Sequence, residues 1–194
     1  MSETAKLTYG ENSYDLPIIV GTEQEHAFDI SKLRAQSGLI TLDTGFKNTG
    51  STKSEITFLD GEKGILRYRG YAIEDLAEQS TFLEVAYLLI HGEVPSQDEF
   101  NKFRGEIASH TLIHEDLRRF YEAYPSKAHP MGILASMVSA MSTFYPNSHD
   151  PNRPAEKVNL TIVRLLAKLP TVAAWAYKNS VGYPLVYPKN SLHY

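Results

Sequence analysis

Thr161, Arg164 and Lys168 fall at i, i+3 and i+7 in the mostly apolar stretch Pro154 to Leu169, so a helix there carries all three on one face. Two cations four residues apart repel slightly, and a solvated helix face is their usual home. They are also what an anion site requires, because Arg offers a bidentate fork and Lys a compact point charge. Tyr145 ends the preceding helical pattern, and a short connection can bring its ring beside both cations. An aromatic ring and two cations suit an adenine nucleotide, by stacking and by charge.

The other chemistry-bearing residues form no such group. The seven histidines are His26, His91, His110, His114, His129, His149 and His193. His110 and His114 are four apart and Glu115 follows, but a zinc helix places Glu directly after the first His, and Thr111 stands there. No metal site is expected. His110 reads as a polar residue at a helix entrance and His129 as a cap before Pro130. There is no G-x-S-x-G, no P-loop and no G-x-G-x-x-G, and carboxylates such as Asp15, Asp29, Glu74 and Asp75 read as solvated charge. Cysteine is absent, which excludes disulfides and thiolate metal sites. From the residues alone this is an α-rich soluble domain with no visible active site.

Composition narrows the class further. Hydrophobic residues are 42% and charged residues 22%, enough apolar material for a core. The net charge of −4 and the lack of a basic block argue against nucleic acid and against an anionic membrane surface. The amino terminus has no apolar h-region, and the least polar window, Met131 to Met141, is too short to span a bilayer. A cytoplasmic protein is expected.

The elements that must position these residues come in two styles. Lys6 to Tyr9, Tyr14 to Val20, Leu39 to Leu42 and Ile56 to Leu59 read as short strands. Seven of the 12 glycines lie between positions 21 and 70, which suits turns. Asp60-Gly61 marks a hairpin, and Asp29 to Arg34 a brief helical turn. After Tyr71 the pattern is helical. Ile73 to Glu78 is short. Thr81…Glu84 and Ser96…Glu99 are capping boxes, opening helices to about His91 and Ala108. Ile113 to Tyr124 follows, then Pro130 to Tyr145, with Pro at the first helical position. Pro154 opens a helix to Leu169, and Pro170 starts a last one to about Ser180. The helix after Pro130 is apolar all round, with Gly132, Ser136 and Ala140 at four-residue spacing, so it should be buried. The expected division is residues 1–70, β-rich, and 71–194, helical.

Several segments together carry a resemblance. ITFLDGEKGILRYRGY (Ile56 to Tyr71), FLEVAYLLIHGEVPS (Phe82 to Ser96), HTLIHE (His110 to Glu115), SKAHPM (Ser126 to Met131), RLLAKLPT (Arg164 to Thr171) and YPKNSL (Tyr187 to Leu192) resemble, in order, stations of citrate synthase in the form found in many Gram-negative bacteria. The likeness covers nearly the whole chain. It implies a mainly α fold, with a small β-rich N-terminal domain followed by part of the large all-helical citrate synthase domain. It implies a parent enzyme that condenses acetyl-CoA with oxaloacetate, needs no cofactor for catalysis, and is a homodimer assembling to a hexamer. The family's catalytic motifs lie beyond Tyr194, so no catalytic residue is assigned and residues 1–194 alone are expected to be inactive.

In the Gram-negative form NADH is an allosteric inhibitor. The resemblance places its site at His110, Thr111, Tyr145, Arg164 and Lys168, each present as the family's residue type. Ser109 and Leu112 depart from the Arg and Met common there, and losing an Arg near a pyrophosphate implies weaker binding. A 2-methylcitrate synthase, using propionyl-CoA, is a close variant. The rival from another class is a stand-alone regulatory or interaction module that binds a dinucleotide through the Arg164/Lys168 face.

Overall fold

The computed structural model describes residues 3–192 and 194; His193 lies outside the described residues. The chain falls into two compact units that divide between Glu55 and Ile56.

The first unit is a three-stranded antiparallel meander of β1 (Thr4–Tyr9), β2 (Asn12–Val20) and β3 (His26–Phe28). Tyr9 pairs with Asn12, so Gly10-Glu11 is a two-residue loop, and Gly10 takes a φ of 62°. A short helix, α1 (Leu33–Ser37), packs near β2 and ends at left-handed Gly38. Among its described residues, only Leu16 and Leu33 are buried hydrophobics. The strand expected at Leu39 to Leu42 does not form. That segment finds no ladder partner, and Ile40 and Leu42 are exposed. Asp43 organises the loop after it, accepting from Lys47 N, Asn48 N and the Thr49 hydroxyl. These bonds, led by the one from Asn48, hold its carboxyl below the usual range.

The second unit begins with a hairpin, β4 (Thr57–Asp60) and β5 (Ile65–Tyr68), joined to β6 (Tyr71–Ala72). Positive φ falls on Gly64, not on the Gly61 of the Asp-Gly pair, because the loop spans four residues. The next turn is tighter: Tyr68 pairs with Tyr71, and Arg69 and Gly70 both have positive φ, as a two-residue loop of primed type requires. The division at 55/56 rather than 70/71 follows. β6 runs directly into α2 (Ile73–Gln79), and the Arg69 guanidinium donates to Leu89 O at 3.0 Å, near the end of α3 (Phe82–His91). Both features tie this sheet to the helices.

Both capping boxes form. Thr81 opens α3 and Ser96 opens α4 (Gln97–Ser109), each with its Glu carboxylate returning to the cap N–H. Gly92, with φ 94°, closes α3. The helix expected from Ile113 to Tyr124 is shorter: a 3₁₀ turn at Glu115–Leu117 leads into α5 (Arg118–Ala123). Next come α6 (Pro130–Ser142), capped by His129, and α7 (Ala155–Ser180).

α7 is one helix, not two. Pro170 sits inside it, and a proline there cannot donate to the carbonyl four residues back, which is that of Leu166. The Tyr194 hydroxyl donates to Leu166 O instead, at 2.9 Å, while its ring stacks on Phe82. α7 is also long and apolar enough to cross a membrane by composition alone. In this fold it is the central pillar. Val163 and Ala167 pack with Leu83, Phe103 and Ile107, and Val172, Trp175 and Ala176 pack with residues of α5 and α6. Tyr121 donates to Val172 O and Trp175 to Val186 O across that core. α6 buries Ile133, Met137 and Met141, but Met131, Gly132, Ala135, Ser136 and Ser139 are exposed, so only one face of this apolar helix is covered within the chain.

Candidate functional site

Tyr145, Arg164 and Lys168 line one cleft, as the sequence predicted. The Arg164 guanidinium carbon lies 4.7 Å from the centre of the Tyr145 ring, within the range of a cation–π contact. α7 supplies Arg164, and Tyr145 stands just after α6, before a 3₁₀ turn at Pro146–His149. Ser142, Ser148, His149 and Thr161 add polar groups to a cleft of about 240 Å³, and Val138, Met141 and Leu165 supply apolar wall. Arg164 makes no ion pair among the described residues.

Lys168 does not share the exposed face that the spacing suggested. Its residue is 6% exposed, and its ammonium donates to His110 O at 2.8 Å and to Leu112 O. Thr171, equally buried one turn further on, donates to Thr111 O at 3.0 Å. The irregular segment after α4 therefore has three successive carbonyls met by two side chains of α7. Burial, and then Arg164, push the Lys168 ammonium's pKa below its ordinary value.

His110 and Thr111 are held beside this group, yet their side chains point elsewhere. The Thr111 hydroxyl donates to Asn190 Oδ1 at 2.9 Å. His110 ends α4 and lines a larger cleft of about 600 Å³ with His91, Glu99, Lys102, Glu106 and Glu156 over Phe103 and Val163. Burial, then Arg164 and Lys168, lower the His110 pKa from 6.5, so the ring is neutral near pH 7. Among the described residues no group of three or more His, Asp or Glu could hold a metal ion.

Sequence reasoning missed Thr171 and Asn190. Thr171 carried a weak signal, since it extends the stripe of Thr161, Arg164 and Lys168 by one more turn. Asn190 carried none, because 79 positions separate it from Thr111.

The profile described as "Citrate synthase, C-terminal domain" matches residues 45–194. The chain belongs to the citrate synthase family. It is 51% identical over 190 residues to "Citrate synthase 1" of Mycobacterium tuberculosis, a match covering 98% of this chain and 44% of that protein. The chain thus spans under half the length of the curated relatives it matches. Among solved structures it is similar to the citrate synthase of Thermotoga maritima (27% identity, TM-score 0.67, covering 79% of this chain and 39% of that one). It is similar also to that of Pyrobaculum aerophilum (31%, TM-score 0.66, covering 77% and 39%). The Thermoplasma acidophilum enzyme, solved in a ternary complex with carboxymethyl coenzyme A and oxaloacetate, shares the fold at 22% identity (TM-score 0.70, covering 79% and 40%).

Proposed function

We propose that this chain is the N-terminal portion of an enzyme that condenses acetyl-CoA and oxaloacetate, with water, to citrate and CoA in the cytoplasm. The observation that carries this is the 51% identity to a citrate synthase across 98% of the chain. A stand-alone binding module has no comparable support. The test is CoA release by the full-length enzyme, with oxaloacetate and either acetyl-CoA or propionyl-CoA. Acetyl-CoA should be preferred; preference for propionyl-CoA would instead identify a 2-methylcitrate synthase.

We propose further that the parent is of the NADH-inhibited type, with the dinucleotide at His110, Thr111, Tyr145, Arg164 and Lys168. Support comes from Arg164 resting on Tyr145 in a cleft lined by polar side chains, next to the segment bearing His110 and Thr111. Arg164→Leu should relieve NADH inhibition of the full-length enzyme, and Ser109→Arg should tighten it. Unchanged inhibition in Arg164→Leu would remove the site assignment. The parent is proposed to be a homodimer assembling to a hexamer, with the exposed Gly132, Ala135, Ser136 and Ser139 of α6 offering a surface for close helix packing. Sedimentation of the full-length enzyme tests that assembly.

A further inference from the structure

We propose that the helical unit is two bodies joined at a hinge through Pro170, with the Tyr194 side chain as the latch that keeps α7 straight. The device needs no bound ligand.

The buried side chains of this unit form two separate clusters. The first gathers Leu83 of α3, Phe103 and Ile107 of α4, and Val163 and Ala167 of α7. The second gathers Tyr121 of α5, Met137 of α6, and Val172 and Trp175 of α7. α7 is thus shared, its first half with one body and its second half with the other. Pro170 falls between Ala167 and Val172, at the changeover. It lacks the N–H that would tie it to Leu166 O, and its ring crowds that carbonyl, so the helix bends most readily there. A second crossing between the bodies lies beside it. Residues 110–114 lead from α4 towards α5 and carry no helix or strand. Lys168, two residues before the proline, donates to His110 O and Leu112 O, and Thr171, directly after it, donates to Thr111 O. Two adjoining crossings, one irregular and one interrupted by proline, give an axis about which a few residues can absorb a rotation. The remaining crossing, residues 143–154, has only the 3₁₀ turn at Pro146–His149 and is long enough to follow.

Tyr194 bridges this hinge from one body to the other. The chain after α7 packs on the second body, through Leu185 and through the bond from Trp175 to Val186 O. Its end returns to the first. The Tyr194 hydroxyl donates to Leu166 O at 2.9 Å, and its ring stacks on Phe82, next to Leu83, with centroids 5.4 Å apart. The latch therefore takes the carbonyl that Pro170 leaves unmet. A straight α7 offers that carbonyl to Tyr194; a bent one opens it to water, so each state satisfies it with a different donor. One neutral hydrogen bond and one stacked pair, with Phe82 61% exposed, make a latch that can be released and reset. With this chain as the N-terminal portion of a longer enzyme, whatever follows Tyr194 acts on the latch directly.

The experiment measures the distance between the two bodies in the full-length enzyme. Spin labels go on cysteines introduced by Lys102→Cys in α4 and Arg119→Cys in α5, both exposed. Residues 1–194 contain no cysteine to compete, and any elsewhere in the parent are replaced first. Labelled subunits are diluted with unlabelled ones, so that only pairs within one chain are read. Phe82→Ala with Tyr194→Phe removes both the stack and the hydroxyl. It should raise the share of a second distance by about fivefold or more, the equivalent of a lost hydrogen bond. Adding Pro170→Ala, which returns an N–H to Leu166 O, should bring the distribution back to that of the natural enzyme. The proposal is overturned if the latch variant keeps the natural distribution, or if the second distance survives Pro170→Ala, which would put the motion elsewhere. Should the double variant fail to fold, Phe82→Ala alone decides by the same two criteria.

Discussion

His110 closes α4 with its ring partly buried and two cations of α7 nearby, and this makes it a source of pH dependence. Burial is the larger cause of its lowered pKa, followed by Arg164 and Lys168, while Glu106 acts weakly the other way. The unfolded chain therefore binds a proton near pH 6.5 that the folded chain resists. Stability from this residue is complete above the unfolded value and is lost as pH falls through the folded one. His110→Gln should flatten the acid side of the stability curve as pH falls below about 6.5, measured by denaturant unfolding. An unaltered curve would show that the imidazole is not held away from its charged form. At this scale the sequence was half legible. The spacing of Arg164 and Tyr145 foretold their contact. The fate of Lys168 was hidden, because its carbonyl partners lie 58 and 56 positions away and backbone acceptors leave no mark in side-chain identity.

α7 shows how an element can obey its pattern and break a local rule. Pro170 read as a helix start, because proline is favoured at the first position and disfavoured inside. The apolar stripe running from Val163 through Ala167 and Val172 to Trp175 wins instead, since one continuous helix buries it against both core clusters. The orphaned carbonyl of Leu166 is met by Tyr194, a tertiary contact that no helical window contains. A double-mutant cycle isolates this pairing. In the natural background Tyr194→Phe should cost about 1 kcal/mol, read from thermal unfolding of residues 1–194. In Pro170→Ala, whose restored backbone N–H can reach Leu166 O, the same change should cost close to nothing. Equal costs in both backgrounds would mean that the hydroxyl is not substituting for the missing amide. The two capping boxes, by contrast, were fully legible, because everything they need lies within four residues.

At the scale of the molecule, the helical character was legible from periodicity after Tyr71, while the unit boundary was not. The sheet of β4, β5 and β6 has strand chemistry, yet belongs with the helices through Arg69 and the direct run of β6 into α2. Burial of α6 was overstated, because a pattern apolar on all sides does not say which side this chain covers. Its uncovered residues, with Met131 at 61% exposure, should make purified residues 1–194 self-associate. Sedimentation checks this, and Ala135→Lys should shift the distribution toward monomer. Catalysis by the same polypeptide is not expected. Condensing acetyl-CoA with oxaloacetate requires a base near a methyl group and cations that grip two carboxylates. The larger cleft offers Glu99, Glu106 and Glu156 as bases, but its one cation from Lys or Arg is Lys102, too few to grip two carboxylates against the repulsion of three. The smaller cleft has Arg164 and Lys168 but no Asp or Glu. Neither combines the two requirements. Residues 1–194 should therefore release no CoA from acetyl-CoA and oxaloacetate above the no-protein background, followed by thiol detection. Turnover that co-purifies with the chain, and disappears when Arg164 and Glu106 are separately replaced, would show that one of these clefts does the chemistry after all.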